Sequence, residues 1–239
     1  MLGLLISLAV VFLINIYLTY SILKPFNLSK TTSASILTTI VKNDCSDCYD
    51  MQKIVSQLKQ VPNVKVTSEN TVSFSSNEGK YLIDRYSITK LPALIITGEI
   101  DKSGLSSTIP ANNGALVLSG LPPYYNISSG KVVGLVKVIY LNDTSCTKCY
   151  NVLTNKQILL NFGVGINNET TLDISSTEGK MLISKYNITR APVIILSPEA
   201  NVYNSLVQAW NSVGIIEPDG WFVMKDPSIL GNYENITSS

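Results

Sequence analysis

Two long segments of the chain repeat each other and decide its fold. EGKYLIDRYSITKLPALII, at Glu78–Ile96, recurs as EGKMLISKYNITRAPVIIL at Glu178–Leu196, with a constant offset of 100 residues. Upstream of each copy, CSDCY at Cys45–Tyr49 recurs as CTKCY at Cys146–Tyr150, with an offset of 101 residues. A repeat of about 100 residues is the size of a domain and not of a solenoid unit. The sequence therefore predicts two copies of one domain, each with a Cys-x-x-Cys pair.

Both copies predict an α/β fold with the same order of elements around a mixed central sheet. The order is strand, Cys-x-x-Cys, helix, strand, helix, proline, strand, strand. The predicted strands are 36–42, 71–76, 93–96 and 115–118 in the first copy, and 132–141, 170–176, 193–196 and 221–224 in the second. The predicted helices are 49–61 and 150–162, after the pairs, and two more that begin at Glu78 and Glu178. This pattern places the second cysteine of each pair in the first turn of a helix.

The position of the cysteines and prolines resembles the thioredoxin fold. A Cys-x-x-Cys pair lies at a strand-to-helix junction, and a proline at the start of a strand follows it, Pro92 after Cys48 and Pro192 after Cys149. Two fused thioredoxin-like (glutaredoxin-like) domains, each with its own pair, resemble the archaeal-type protein disulfide oxidoreductases and, more loosely, protein disulfide isomerase. The resemblance covers roughly residues 35 to 239 and implies thiol-disulfide exchange with client proteins.

The resemblance also implies roles for individual residues. The attacking thiols would be Cys45 and Cys146, the resolving thiols Cys48 and Cys149, and Pro92 and Pro192 would be cis and lie beside the sulfurs. A thiolate at a helix N-terminus is stabilised by the helix dipole, which favours the first cysteine as nucleophile. A cis proline leaves backbone groups near it free to pair with an extended client. The predicted substrate-binding residues are therefore Leu91, Pro92, Ala191 and Pro192.

Two other interpretations of the cysteines stay open. Permanent disulfides could brace the polypeptide, although a disulfide across two residues constrains the unfolded chain only weakly. A shared zinc site would need the two pairs roughly 15 to 20 residues apart, whereas 97 residues separate Cys48 from Cys146. Redox-active pairs without a metal or another cofactor are the favoured interpretation.

The charges around the two pairs differ. Asp44, Asp47 and Asp50 surround the first pair, whereas Lys148 lies between the cysteines of the second. A nearby cation stabilises a thiolate and a nearby anion destabilises it. We therefore expect the Cys146–Cys149 couple to be the stronger oxidant.

Composition excludes several classes of function. The chain has 239 residues, no histidine, and 18 basic against 17 acidic residues. The absence of histidine excludes a histidine-assisted nucleophile and a zincin-type metal site. Near-neutral charge gives no basic face for nucleic acid. Charged residues make up only 15% of the chain, well below the roughly 25% of ordinary soluble domains, which suggests a membrane or extracytoplasmic protein.

The N-terminal sequence predicts a membrane anchor. Residues 1–23 carry no charged side chain, and Leu2–Leu23 would form a helix of about 33 Å, long enough to cross a bilayer. A cleaved signal peptide is the alternative, but no A-x-A-like cleavage site follows. The predicted order along the chain is anchor (1–23), polar stalk (24–34), first domain (35–120), linker (121–130) and second domain (131–239). The second domain carries a predicted helical insertion near 201–213.

The compartment follows from conflicting signals. Lys24 and Lys30 after the anchor favour a cytoplasmic body, whereas cysteines arranged only in pairs favour an oxidising exterior. N-x-S/T sequons occur at Asn27, Asn126, Asn142, Asn168, Asn187 and Asn235, so N-glycosylation is a hypothesis. We expect an extracellular body. The alternative function is a non-catalytic accessory subunit of a membrane complex or a surface component, with the 201–213 insertion as its docking helix.

Overall fold

A computed structural model describes residues 33–236. These residues form two units, 33–133 and 134–236. No helix among them is long and apolar enough to cross a membrane. The predicted anchor, residues 1–23, lies outside the described residues.

The first unit contains eight strands and three α-helices. Its strands are β1 (Ala34–Lys42), β2 (Val64–Ser73), β3 (Lys90–Leu91), β4 (Ala93–Gly98), β5 (Ala111–Asn112), β6 (Ala115–Ser119), β7 (Tyr124–Asn126) and β8 (Lys131–Val133). Its helices are α1 (Gln52–Leu58), α2 (Asn77–Arg85) and α3 (Ile100–Ser103), with a 3₁₀ turn at Leu105–Ser107.

The second unit repeats most of this order. Its strands are β9 (Leu135–Asn142), β10 (Gly165–Asp173), β11 (Arg190–Ala191), β12 (Val193–Leu196), β13 (Gly214–Ile216), β14 (Phe222–Met224) and β15 (Glu234–Asn235). Its helices are α4 (Thr154–Asn161), α5 (Thr177–Tyr186) and α6 (Asn204–Trp210), with a 3₁₀ turn at Pro198–Val202.

Each unit is built on a mixed sheet, as the sequence predicts, with five strands where the sequence indicates four. The strand order is β2-β1-β4-β6-β5 in the first unit and β10-β9-β12-β14-β13 in the second. The strand that leads to the cysteine pair, β1 or β9, is parallel to one neighbour and antiparallel to the other. A strand paired on both edges has no free backbone groups along its length, so it is a rigid support for the loop that follows.

Both faces of the first sheet are covered. Val55 of α1 and Leu105 of the 3₁₀ turn join Ile36 of β1 in one buried cluster. On the other face, Ile95 belongs to a cluster against which Leu82 of α2 packs. Since apolar side chains are buried on both faces, β4 begins with the uninterrupted apolar run at residues 93–96.

Three predicted strands are wrong in their bounds. Those predicted at 71–76 and 170–176 are β2 and β10, which begin earlier, at Val64 and Gly165, and end at Ser73 and Asp173. We predicted a single strand over residues 132–141, but the structure ends β8 at Val133 and begins β9 at Leu135. Gly134 between them has a φ of 94°, which is far from extended backbone. The two halves of the predicted strand belong to different units.

The insertion near residues 201–213 does form a helix, but its apolar residues are not exposed. Leu206 and Trp210 of α6 are buried in the core of the second unit, and the Trp210 ring meets Phe222 edge-on with 5.5 Å between ring centres. The face that we considered for docking is therefore used to cover the unit's own sheet.

The residues for which we predicted a linker, 121–130, carry regular structure. They contain β7, which pairs with β3 on one edge and with β8 on the other. Tyr125 and Ile127 of this segment pack against the buried cluster around Ile95. The segment is part of the first unit's core.

The helices α2 and α5 begin with the same cap and the same close approach. The hydroxyls of Ser76 and Ser176 each accept a hydrogen bond from the N–H of a glycine three residues later, at 3.0 Å. A Cβ atom on those glycines would lie 2.0 Å from the Ser73 carbonyl oxygen at Gly79, and 2.1 Å from the Asp173 carbonyl oxygen at Gly179. Only glycine therefore fits between each helix and the preceding strand.

We expect Gly79→Ala and Gly179→Ala each to lower the free energy of unfolding by about 1–3 kcal/mol, because backbone must move to admit the methyl group. Lys80→Ala, at the exposed neighbouring position, should change stability by less than about 0.5 kcal/mol. Urea unfolding measures both. Equal stability of the glycine and lysine variants would contradict the close approach.

Candidate redox sites

Each Cys-x-x-Cys pair lies just beyond the end of a central strand and is closed as a disulfide. The Cys45–Cys48 bond is 2.03 Å long with 5.4 Å between the Cα atoms, and the Cys146–Cys149 bond is 2.11 Å long with 5.5 Å between the Cα atoms. All four cysteines are partly exposed. The sulfurs are therefore positioned by the sheet and remain open to solvent.

The helix after each pair begins later than the sequence indicates. We expected the second cysteine in the first helical turn, but α1 begins at Gln52 and α4 at Thr154. The Asp50 carboxylate accepts the Gln52 N–H at 3.0 Å, and the Asn151 side chain accepts the Leu153 N–H at 3.0 Å. Such side chains favour a helix start at their own position.

This displacement removes the helix dipole from the reacting sulfurs. The dipole acts within about the first turn, and each pair lies in the loop that precedes it. The expectation that a helix N-terminus activates Cys45 and Cys146 is therefore wrong for this chain. Charged side chains near the sulfurs therefore become the main influence on the pKa of the thiols.

The prolines lie where the sequence predicts. The Leu91–Pro92 and Ala191–Pro192 bonds are both cis, as the resemblance implies. In the first unit, Pro92 lines a cavity of about 590 Å³ together with Cys45 and Cys48. In the second unit, Val193 pairs with Leu141 near the end of β9, so Pro192 lies at the strand end from which the second pair follows.

The backbone beside the prolines is not free, which corrects our expectation for Leu91 and Ala191. Leu91 of β3 pairs with Tyr125 of β7, and Ala191 of β11 pairs with Glu234 of β15. Both pairings are antiparallel, and both partner strands belong to the same unit as the proline. We call β7 and β15 the capping strands.

Each capping strand continues across to its cysteine loop. In the first unit, the Tyr49 N–H donates to the Pro123 carbonyl at 2.7 Å. In the second unit, the Tyr150 N–H donates to the Asn232 carbonyl at 2.9 Å. The residue after each resolving cysteine is therefore bonded to the segment that leads into the capping strand. Own-chain backbone bridges the proline strand and the cysteine loop in both units.

The capping strands were not predicted, although the sequence carries a signal for them. YYNIS at Tyr124–Ser128 recurs as YENIT at Tyr233–Thr237, with an offset of 109 residues. The offset differs from that of the other repeats because the second copy has a longer segment between its last predicted strands. This third repeated block shows that the capping strand belongs to the duplicated domain.

The second pair has a carboxylate beside it that the sequence did not predict. Glu234 Oε1 of the capping strand lies 3.9 Å from Cys146 Sγ. Glu234 is 88 positions away in sequence, so only the β11–β15 pairing brings it to the sulfur. It opposes the effect that we assigned to Lys148, because a carboxylate destabilises a nearby thiolate.

The loop before Cys146 is held by a second carboxylate. Asp173, at the end of β10, accepts the Ser175 hydroxyl at 2.5 Å and the Thr144 N–H at 2.8 Å. These hydrogen bonds, with that of Ser175 the larger cause, hold the pKa of Asp173 well below its usual range. Ser73 occupies the equivalent strand end in the first unit, so this tether is particular to the second site.

The tyrosines after the pairs are packing residues. Burial raises the pKa of Tyr150 to about 12, and burial also raises the pKa of Tyr49. The Tyr150 hydroxyl accepts a hydrogen bond from the buried Asn155 amide at 3.2 Å. A phenol that stays protonated at neutral pH cannot serve as a base. Among residues 33–236, no group of three or more Cys, Asp or Glu side chains is arranged to hold a metal ion.

Glu234→Gln should make the Cys146–Cys149 couple more oxidising, because removal of the carboxylate favours the thiolate and so the reduced form. We expect a rise of about 10–30 mV, since about 30 mV corresponds to about 1.4 kcal/mol for a two-electron couple and exposed charges are screened. Equilibration with glutathione buffers of known potential measures it.

Glu199→Gln is the matched control for this measurement. Glu199 lies on the 3₁₀ turn next to the start of β9, and the cysteines follow the other end of this strand. Removal of the Glu199 charge should leave the redox potential of Cys146–Cys149 unchanged. A Glu234→Gln protein with the wild-type potential would show that the carboxylate does not act on the sulfur.

No family model matches the chain, and no curated protein matches it. Among solved structures it is similar to the NTD_N/C domain of alkylhydroperoxide reductase AhpF from Enterococcus faecalis, with 14% identity, a TM-score of 0.24, and coverage of 70% of this chain and 83% of that one. It is also similar to a protein disulfide oxidoreductase from Aeropyrum pernix, with 13% identity, a TM-score of 0.20, and coverage of 70% and 78%. The strand order of each sheet and the position of pair and proline at one strand end agree with the arrangement that the sequence predicts.

Proposed function

We propose that the protein exchanges disulfides with client proteins through its two Cys-x-x-Cys pairs. The observation that carries this proposal is the same arrangement in both units: a partly exposed pair at the end of a rigid central strand, with a proline loop at the same strand end. A disulfide that spans three positions contributes little to stability through chain entropy. Its duplication at this position is better explained by reactivity.

The chemistry needs no cofactor. The structure shows the oxidised form of both pairs. Starting from this form, a client thiolate attacks one sulfur of a pair, breaks the Cys–Cys bond and forms a mixed disulfide. The released protein thiolate takes up a proton. A second client thiolate then attacks the mixed disulfide, so the client gains a disulfide, gives up two electrons, and leaves the pair as a dithiol. The reverse sequence reduces a client disulfide.

A second candidate function is a non-catalytic accessory subunit or surface component with structural disulfides. Two observations favour it: the helices begin after the pairs, and own-chain strands occupy the backbone beside both prolines. Both would slow exchange with large clients. The two candidates differ in whether mild reductant opens the pairs while the protein stays folded.

We expect the full chain to catalyse disulfide reshuffling in scrambled ribonuclease, and the double variant Cys45→Ser, Cys146→Ser to fall to the uncatalysed rate. The double variant Cys48→Ser, Cys149→Ser should accumulate mixed disulfides, because no resolving thiol remains. Ser46→Ala is the control and should retain activity. Disulfides that stay closed in dithiothreitol, with no catalysis, would favour the accessory subunit.

We also propose that residues 2–23 anchor the protein in a membrane with the body outside the cell. The uncharged length of this segment and the paired cysteines support the proposal. In cells that express it, the full chain should stay with carbonate-washed membranes, and added protease should degrade the body. A chain without residues 1–30 should be released as soluble protein. Protection of the body from protease would place it in the cytoplasm.

A further inference from the structure

We infer that residues 233–236 occupy the docking position of an extended client segment, and that only the second unit can vacate this position. The inference rests on the proposed disulfide exchange and names which pair serves polypeptide clients and what segment it takes. This narrows the proposed function: Cys146–Cys149 is the pair that reacts directly with extended polypeptides, and Cys45–Cys48 exchanges with small thiols.

The main-chain contacts of the capping strands are those of an added β-strand. The Ile127 N–H donates to the Thr89 carbonyl at 3.0 Å, and the Ile236 N–H donates to the Thr189 carbonyl at 2.8 Å. Two residues after Thr89 and Thr189, the same capping strands pair with Leu91 in the first unit and with Ala191 in the second. An extended peptide binds a sheet edge through the same backbone bonds whatever its sequence.

A side-chain contact accompanies the backbone pairing in each unit. The Lys90 Nζ lies 4.7 Å from the centre of the Tyr124 ring, and the Arg190 guanidinium carbon lies 5.1 Å from the centre of the Tyr233 ring. A cation over an aromatic face is attractive. A client segment that replaces the capping strand would gain the same contact from an aromatic side chain at the position of Tyr233.

The position of Glu234, directly after this tyrosine, is the one that a client's reacting cysteine would occupy. Glu234 lies opposite Ala191, and its carboxylate reaches to 3.9 Å from Cys146 Sγ. A client residue in this position would therefore be beside the sulfur that it must attack. The segment that fits is extended, with an aromatic residue directly before a cysteine.

The two capping strands differ in how firmly they are held. β7 lies between β3 and β8 in a three-stranded sheet, whereas β15 pairs only with β11 within the described part of the chain. Tyr124 is buried and its counterpart Tyr233 is partly exposed, and Tyr125 and Asn126 are partly exposed where Glu234 and Asn235 are fully exposed. Two-residue edge pairing with exposed side chains is the least stable kind of sheet contact. Ile236 packs against the second unit's core as Ile127 packs against the first unit's, but only β7 is held by a second strand within the described residues. β15 should therefore separate at a lower cost in free energy than β7.

The docking position can be tested with a synthetic peptide of residues 231–237 that carries E234C, added in its thiol form to the oxidised full chain. Its thiolate attacks Cys146 Sγ, the Cys146–Cys149 bond breaks, a peptide–Cys146 disulfide forms, and Cys149 leaves as a thiolate. Mass spectrometry of the digested product locates the attached peptide. We expect attachment at Cys146 and not at Cys45, and slower attachment when the peptide also carries Y233A.

A matched pair of protein variants tests the gating. Ile236→Pro removes the hydrogen bond to Thr189 and should speed peptide attachment at Cys146 about fivefold, the factor expected when loss of one backbone hydrogen bond increases the open population. Ile127→Pro removes the equivalent bond to Thr89 and should leave attachment at Cys45 undetected, because β8 still holds β7. The rate of opening by dithiothreitol should be unchanged in both variants.

Amide hydrogen exchange of the wild-type chain provides a test without substitutions. The Ile236 amide should exchange at least about tenfold faster than the Ile127 amide, because local opening controls exchange. Equal protection of these two amides, or equal peptide attachment at both pairs, would overturn the inference. If dithiothreitol still opens the pairs in that case, the proposed disulfide exchange stands. Pairs that dithiothreitol cannot open would overturn both proposals.

Discussion

A strand edge presents N–H and C=O groups that must be bonded to something, and in this protein that requirement decides access to the chemistry. The edge beside each proline is bonded by a strand from the same unit. The same segment accepts the N–H of the residue after the resolving cysteine. Proline loop and cysteine loop are therefore joined by own-chain backbone, and anything that reacts at a pair must approach past this strand or replace it.

The duplicated domain keeps this arrangement and changes what surrounds it. In the first unit the capping strand is paired with a neighbour on each edge, and its Tyr125 packs on Phe74 with 6.1 Å between ring centres. In the second unit Glu234 occupies the equivalent position and lies beside the cysteine sulfur. One copy uses the strand as part of its core, and the other places a charge at the reacting atoms. The two pairs are equivalent by descent within the chain but not in their chemistry.

The late start of α1 and α4 removes the usual means of stabilising a thiolate in such a loop. Asp50 and Asn151 bond to backbone N–H groups at the helix starts, so the positive ends of the helices are directed at these side chains and not at sulfur. Tuning then depends on exposed charges, which solvent and salt screen. Pairs of this kind are expected to hold their disulfides more firmly than pairs at a helix N-terminus.

The sequence by itself determined the duplication, the order of the elements, the mixed sheets and the closing of each Cys-x-x-Cys pair. These features follow from local signals: repeated residues, apolar runs such as Ile36–Lys42, and cysteines three positions apart. The helix bounds and the split at Gly134 were missed because single hydrogen bonds and one backbone angle decide them. Only the tertiary structure showed that Leu91 and Ala191 are already paired and that Glu234 reaches Cys146, 88 positions away. Short strands pair according to which backbone edge is left unbonded after the sheet has formed, and that edge is a property of the folded chain and not of any stretch of residues.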